Sequence, residues 1–234
     1  MSLNTYSTDL EDSSSQYWSI TDGAQTGLDF TGDFTLEFWI KPESLTTGHN
    51  VMMKGDAGTG GVWYAAYVQN DGSVVLGTDN GTTAKVVTSA ASLITTGTWY
   101  HIACVRNGAG GEIFIDGSSV KTGTVQSSSM ATSNPFFIGA RNSSGPDRYV
   151  DGMVDECRAW SVARTGTEIS DNMSVQLTGS ETNLEGYWRF NNDGTDETSN
   201  GNDLTNNNTA TFTADVPFTG ATGDGGAVFA GCAF

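Results

Sequence analysis

Basic residues are scarce in this chain of 234 residues: ten Lys and Arg stand against 27 Asp and Glu, a formal net charge of −17. Proteins that hold DNA or RNA grip phosphates mainly with Lys and Arg, and no basic cluster exists here, so nucleic acid is excluded as a partner. Cysteine is almost missing. Cys104, Cys157 and Cys232 are widely spaced and form neither a disulfide framework nor a zinc motif. A single Cys104–Cys157 bridge stays open, and two buried thiols in strands is the blander alternative. His49 and His101 are the only histidines and lie far apart, which disfavours a metal hydrolase. Long apolar runs are absent too. No stretch approaches the roughly 18 residues a membrane helix needs, so membrane insertion is not expected. The opening Met-Ser-Leu-Asn-Thr-Tyr carries neither the basic nor the apolar region of a secretory signal.

What is present is a folding chain. Apolar residues make up 37%, with six Trp, seven Tyr and eleven Phe, too rich for a disordered acidic tail. The length suits one large all-β domain able to bury a full core. The clearest strand is Phe34-Thr-Leu-Glu-Phe-Trp-Ile-Lys41, where Phe34, Leu36, Phe38 and Ile40 alternate with Thr35, Glu37, Trp39 and Lys41. Period two puts the first set on the core face and the second on the other. Similar runs predict strands at 16–20, 51–54, 63–69, 73–78, 85–89, 99–106, 112–115, 136–140, 150–160 and 184–190, with a weaker one at 209–213.

Asn70-Asp71-Gly72, Asn80-Gly81, Asp116-Gly117 and Asp193-Gly194 supply residues that tolerate positive φ, as tight hairpins require. One helix is expected: Thr165-Gly-Thr-Glu168 is a capping-box pattern, and Ile169 and Met173 would face the core one turn apart. About a dozen strands and one short helix mean an all-β fold, an antiparallel two-sheet sandwich or jelly roll. No linker divides the pattern, so one domain is expected over 1–215, followed by a Gly-rich tail or connector over 216–234.

Four segments in order carry a resemblance: FTLEFWIKP at 34–42, WYHIACVRNGAGGEIFIDG at 99–117, FFIGARNSSGPDRYVDGMVDECRAWSVARTGTEI at 136–169, and GYWRFNNDGTDETSNGNDLT at 186–205. Together they resemble the laminin-G-like branch of the concanavalin A-like lectin/glucanase superfamily, with pentraxins as sandwich relatives. The resemblance implies a concanavalin A-like jelly roll. It also implies that Asp155 and Glu156 are structural, holding the neighbouring loop or pairing with Arg164.

The superfamily includes glucanases, whose paired carboxylates lie on one strand face at near-retaining separation. The nearest candidates fail that test. Glu112 and Asp116 are only two acids, the second in a hairpin turn, while Asp155 and Glu156 are adjacent and point to opposite faces. His101 and Cys104, three apart on a strand, also face opposite ways. No catalysis is expected.

Calcium is the cofactor to test, because it needs six to eight oxygens from carboxylates, amides and loop carbonyls. By resemblance to the pentraxins, one candidate site joins Asp56 to Asn142 and Asp147. By resemblance to laminin-G-like domains, a second lies in Asp193–Asp203, with Asp196, Asn200 and Asn202, and Asp155 approaching from a neighbouring strand. Candidate ligand-binding residues are Trp63, Tyr64, Arg141 and Tyr149, since sugar-binding sandwiches stack rings on apolar sugar faces beside polar groups.

The resulting expectation is a non-catalytic binding or adhesion module that recognises a glycan or a protein surface through its loops. A different class competes with it: a structural or assembly protein, such as a virion decoration or fibre protein or a surface-filament subunit, working as a homo-oligomer. The expected setting is extracellular or a virion surface.

Overall fold

The computed structural model describes residues 3–58 and 60–219. Among them, in chain order, are β1 (Ser7–Leu10), β2 (Tyr17–Ile20), β3 (Phe34–Pro42), β4 (His49–Gly55), β5 (Val62–Val68), β6 (Val74–Asn80), β7 (Ala84–Thr88), β8 (Tyr100–Asn107) and β9 (Gly110–Ile115). There follow β10 (Ser118–Thr124), β11 (Phe136–Ile138), β12 (Arg141–Asn142), β13 (Pro146–Asp147), β14 (Gly152–Trp160), α1 (Gly166–Asn172), β15 (Leu184–Trp188), β16 (Thr205–Asn207) and β17 (Thr211–Thr213).

The strands make two large antiparallel sheets. The first runs β10-β9-β8-β3-β14-β1-β17 with β15 also on β14, and the second runs β16-β2-β11-β4-β5-β6-β7. The alternation in β3 does what period two requires: Phe34, Leu36, Phe38 and Ile40 are fully buried in the central core. They meet Tyr64, Ala66, Val74, Leu76, Phe136 and Ile138 from the second sheet in one continuous cluster. Each fully buried side chain of this size stabilises the fold by roughly 1.5–3 kcal/mol. The result is the expected two-sheet sandwich. Cys104 and Cys157 sit in this core as free thiols, which closes the question of a bridge between them. Cys232 and most of the expected tail lie outside the described residues. Packing reaches past 215, because the Phe218 ring lies 6.0 Å from that of Trp39.

The turns follow their chemistry. Asp116 and Gly117 both take positive φ, 49° and 74°, and close the β9–β10 hairpin. β10 itself, SSVKTGT, was not foreseen, because it is almost wholly exposed and shows no alternation. Thr165 caps α1 by accepting from the Glu168 amide at 3.3 Å, while the Glu168 carboxylate accepts from the Thr165 amide at 2.7 Å. Ile169 is buried against Ala103, Val105 and Phe114 on the outer side of the first sheet. Met173, expected beside it in the core, is only half-buried; its backbone carbonyl accepts from Trp39 Nε1 at 2.8 Å.

The outer face of the first sheet is buried as well. Thr35, Glu37 and Trp39 are covered because α1 and the segment after it roof them. Beneath that roof Glu37 lies 3.2 Å from Arg164 Nε, 3.5 Å from His101 Nε2 and 3.8 Å from Arg158 Nη1. Burial pushes the Glu37 carboxyl up, but His101, Arg158 and Arg164 outweigh it and hold it below the usual range. Arg164 therefore pairs with Glu37 and stacks 3.9 Å over Trp160, in place of the Asp155–Glu156 pair suggested by resemblance. A bulge in β14 explains the exchange. Glu156 takes φ +50 and turns to Arg158 Nη2 at 2.9 Å and to the Tyr187 hydroxyl at 2.5 Å. Asp155 turns elsewhere, accepting from Asn4 Nδ2 at 2.7 Å.

Candidate functional site

Among the described residues the one α-helix, α1, packs on the first sheet and leaves the outer face of the second without a helix. On β5 the side chains alternate strictly: Tyr64, Ala66 and Val68 enter the core, whereas Trp63, Ala65 and Tyr67 point outward and line a groove. Met53 on β4 is in register with Ala65 and continues the floor, and Val86 on β7, 51% exposed, forms the far edge. The cavity measures about 220 Å³. The Trp63 ring lies over Gly77 of β6, so close that a Cβ there would come within 2.6 Å of it. Glycine at 77 is thus what lets the indole lie down on the sheet.

The other wall is the loop carrying β12 and β13, from which Arg141 and Arg148 reach the groove. This wall is tied down at several points. Arg141 forms a two-bonded pair with Asp147, Nε donating to Oδ1 at 2.8 Å and Nη2 to Oδ2, and that pairing holds the guanidinium above its ordinary pKa. The Asn142 amide donates to Met53 Sδ at 3.4 Å, and its side chain donates to the Gly55 carbonyl at 3.0 Å. Asp56 Oδ1 accepts from the Gly58 amide at 2.7 Å and from the Ser144 amide at 3.0 Å, joining the β4–β5 loop to the wall. Arg148 takes φ +46, and its carbonyl accepts from the Asn50 amide at 3.3 Å. Burial raises the Tyr67 hydroxyl above its usual pKa, against the opposing charges of Arg148 and Arg141.

The 193–203 loop, the second expected site, is closed on itself. Asp196 Oδ1 accepts from the amides of Tyr187 (2.9 Å) and Thr198 (3.0 Å), and Oδ2 from Thr198 Oγ1 (2.7 Å) and the Asn202 amide (2.9 Å). Asn200 donates to Glu185, and Asn202 donates to the carbonyls of Thr26 and Glu185.

Residues 12–170 match a laminin G family model described as belonging to the concanavalin A-like lectin/glucanases superfamily. The chain belongs to this laminin G-like family. Among curated proteins it is 27% identical over 166 residues to the adhesion G-protein coupled receptor V1 of Danio rerio, covering 68% of the chain but only 3% of the receptor. Among solved structures it is similar to a putative carbohydrate binding protein from Bacteroides ovatus, with TM-score 0.66 and 18% identity over 91% of this chain and 60% of that one. It is also similar to the heptameric SAP-like pentraxin of Limulus polyphemus, with TM-score 0.60 and 17% identity over 89% and 94%. The two solved structures, at those identities, speak to the fold.

Against this laminin G-like frame the expected residues sort clearly. Trp63 and Arg141 meet in the groove, and Asp56, Asn142 and Asp147 build its wall. Tyr64 does not belong: it is fully buried, with its hydroxyl donating to the Leu28 carbonyl at 2.8 Å. The physical reason is elementary, since neighbours on a strand point to opposite faces. Tyr149 does not line the groove. Its ring packs 6.0 Å from Tyr17 and its hydroxyl donates to the Pro146 carbonyl. Asp155 is buried on Asn4 and is not brought to Asp196 by any of these bonds. Met53, Tyr67, Val86 and Arg148 were missed, although counting by two from Trp63 reaches Tyr67.

The carboxylates expected to hold calcium carry internal donors as arranged. A carboxylate offers about four lone-pair positions, and protein donors take four at Asp196. Asp147 is committed to Arg141, and Asp56 Oδ1 to two amides. Elsewhere Asp9, Glu11 and Glu43 bring carboxylate oxygens within 4.8 Å of one another, a cluster that sequence spacing does not reveal. Among the described residues no helix is long and apolar enough to cross a membrane.

Proposed function

We propose that this chain is a non-catalytic extracellular binding module that holds a glycan in the open groove of its second sheet. One observation carries the reading: an aromatic and apolar floor, Trp63, Tyr67 and Val86, lies uncovered beside two arginines. Sugar rings present an apolar face to stacking and polar edges to hydrogen bonds, and this groove offers both kinds of surface. A small concavity with polar walls suits one or a few sugar rings better than a broad protein surface, which would need roughly 800 Å² on each partner. The named carbohydrate-binding neighbour is in keeping with the reading.

Calcium-dependent binding is the second form of this proposal, because the acids expected to hold the ion are engaged by internal donors. A glycan array probed with and without chelator tests both forms. Binding that survives chelator and disappears in Trp63→Ala supports the metal-free groove, and an array flat under both conditions refutes the glycan reading. An ion bound only by the native state must raise the melting temperature, so a melting point that falls on adding chelator would reinstate calcium.

A further inference from the structure

Of the six arginines, four are neutralised by acidic neighbours: Arg141 by Asp147, Arg158 and Arg189 by Glu156, and Arg164 by Glu37. Arg106 is buried with its guanidinium over the Phe34 ring. Arg148 is different. It is exposed, and no carboxylate among the described residues lies within 4.0 Å of it. In a chain with 27 acids this cation stands at one place in particular, lining both the groove and an adjoining cavity of about 360 Å³ formed with Gly48, Gln69 and Asn70. Its backbone is set there deliberately. A positive φ costs a non-glycine residue roughly 1–2 kcal/mol, and the Asn50 amide holds the Arg148 carbonyl in that conformation.

Resting on the glycan reading above, we infer that the groove selects sugars bearing a carboxylate, with Arg148 taking the carboxylate while Trp63 and Tyr67 take the ring. The chemistry is that of a planar fork of N–H donors, whose geometry matches a carboxylate with two parallel bonds. Arg141 cannot play this part, because Asp147 already occupies its fork. One uncommitted guanidinium therefore means one acidic group per bound sugar. The surrounding negative field makes the site discriminating: an acidic ligand is repelled by the molecule at large and gains only where Arg148 meets it. The 220 Å³ cavity falls below the roughly 300–1,000 Å³ of drug-sized pockets, so the rest of an oligosaccharide would run into the adjoining cavity past Arg148.

The experiment compares three probes by titration on the whole chain: tetragalacturonate, neutral galactotetraose, and the same neutral sugar carrying sulfate, alongside an array of acidic and neutral glycans. The uronate is expected to bind at least about ten-fold more tightly than the neutral sugar, a difference of about 1.4 kcal/mol. Arg148→Gln should bring the two within about two-fold, Arg148→Lys should restore only part of the preference, and Trp63→Ala should abolish binding of both. Arg148 is exposed, so unchanged melting temperatures in its variants would show that folding is intact. Equal binding of acidic and neutral sugars, indifferent to Arg148→Gln but lost in Trp63→Ala, would overturn this inference and leave the glycan reading standing. Sulfated sugar bound as well as uronate would overturn the assignment to a carboxylate, and an array on which nothing binds would overturn both.

Discussion

The two sheets of this sandwich present outer faces built by the same rule and used in opposite ways. On the first, Thr35, Glu37 and Trp39 of β3 point outward and are buried under α1 and the following segment, where Glu37, His101, Arg158, Arg164 and Glu156 lie within ion-pair distance of one another. On the second, Trp63 and Tyr67 of β5 point outward and stay in reach of solvent, beside an Arg148 with no carboxylate partner in range among the described residues. Charge on the roofed face belongs to the fold, because its partners are all internal. On the open face Arg141 is completed by Asp147, whereas the charge of Arg148, on the reading proposed above, is left for a ligand. The lesson is to ask of each ionisable group whether the chain itself already completes it.

The largest effect expected from breaking this division is on the roofed face. Glu37→Ala leaves Arg158 and Arg164 buried without their shared counter-charge, and breaking a buried pair costs about 3–5 kcal/mol. Denaturant unfolding should show that loss. If any folded fraction remains, its glycan affinity should be unchanged, and a loss of less than about 1 kcal/mol would mean that the network is ornamental. Next in size is Asp196→Ala, which strands donors now served by one carboxylate and should cost about 3 kcal/mol. A stabilising effect of calcium that vanishes in this variant would return the loop to the metal-binding reading.

Part of this division was legible in residues alone. The core face of β3, the capping box at Thr165 and the hairpin glycines each follow from local chemistry, and four ordered segments implied the fold. What alternation cannot tell is what covers the other face. Alternation puts Glu37 on the face away from the core, and it is buried only because α1, more than a hundred residues later, is folded over it. Likewise β10 has no pattern of its own and becomes a strand because the Asp116–Gly117 turn lays it against β9. The candidate site was half legible. Trp63 and Arg141 were named, yet Tyr64 was paired with Trp63 by adjacency when the strand period separates them. Arg148 was passed over because an exposed arginine acquires meaning only from what fails to pair with it.

A smaller effect on stability, with a large one on binding, is expected from Gly77→Ala. The new Cβ would lie 2.6 Å from the Trp63 ring, but that ring is only half-buried and can swing away. The stability cost should be about 1 kcal/mol, at the low end for overpacking. Glycan affinity should nevertheless fall by an amount comparable to Trp63→Ala, although residue 77 touches no ligand. A variant that binds normally would place the sugar somewhere other than over this indole.

The smallest effect separates two carboxylates of the first sheet by pH. Burial, and then the charge of Glu156, hold Asp155 well above the usual carboxylate range, so the folded chain keeps its proton where the unfolded chain has lost it. Stability from this group is therefore fully present below the unfolded value, about pH 4, and declines as pH rises toward the folded one. Glu37 acts with the opposite sign: held below the usual range, it contributes above the unfolded value and is lost as pH falls through its folded one. The two windows lie on opposite sides of the ordinary carboxylate pKa and can be read from one series of melting temperatures. Asp155→Asn should flatten the decline on the alkaline side of pH 4 and leave the acid limb in place. Curves that stay parallel to the unsubstituted protein from pH 4 to 7 would mean that Asp155 is ionised in the fold, and that its bond from Asn4 outweighs its burial.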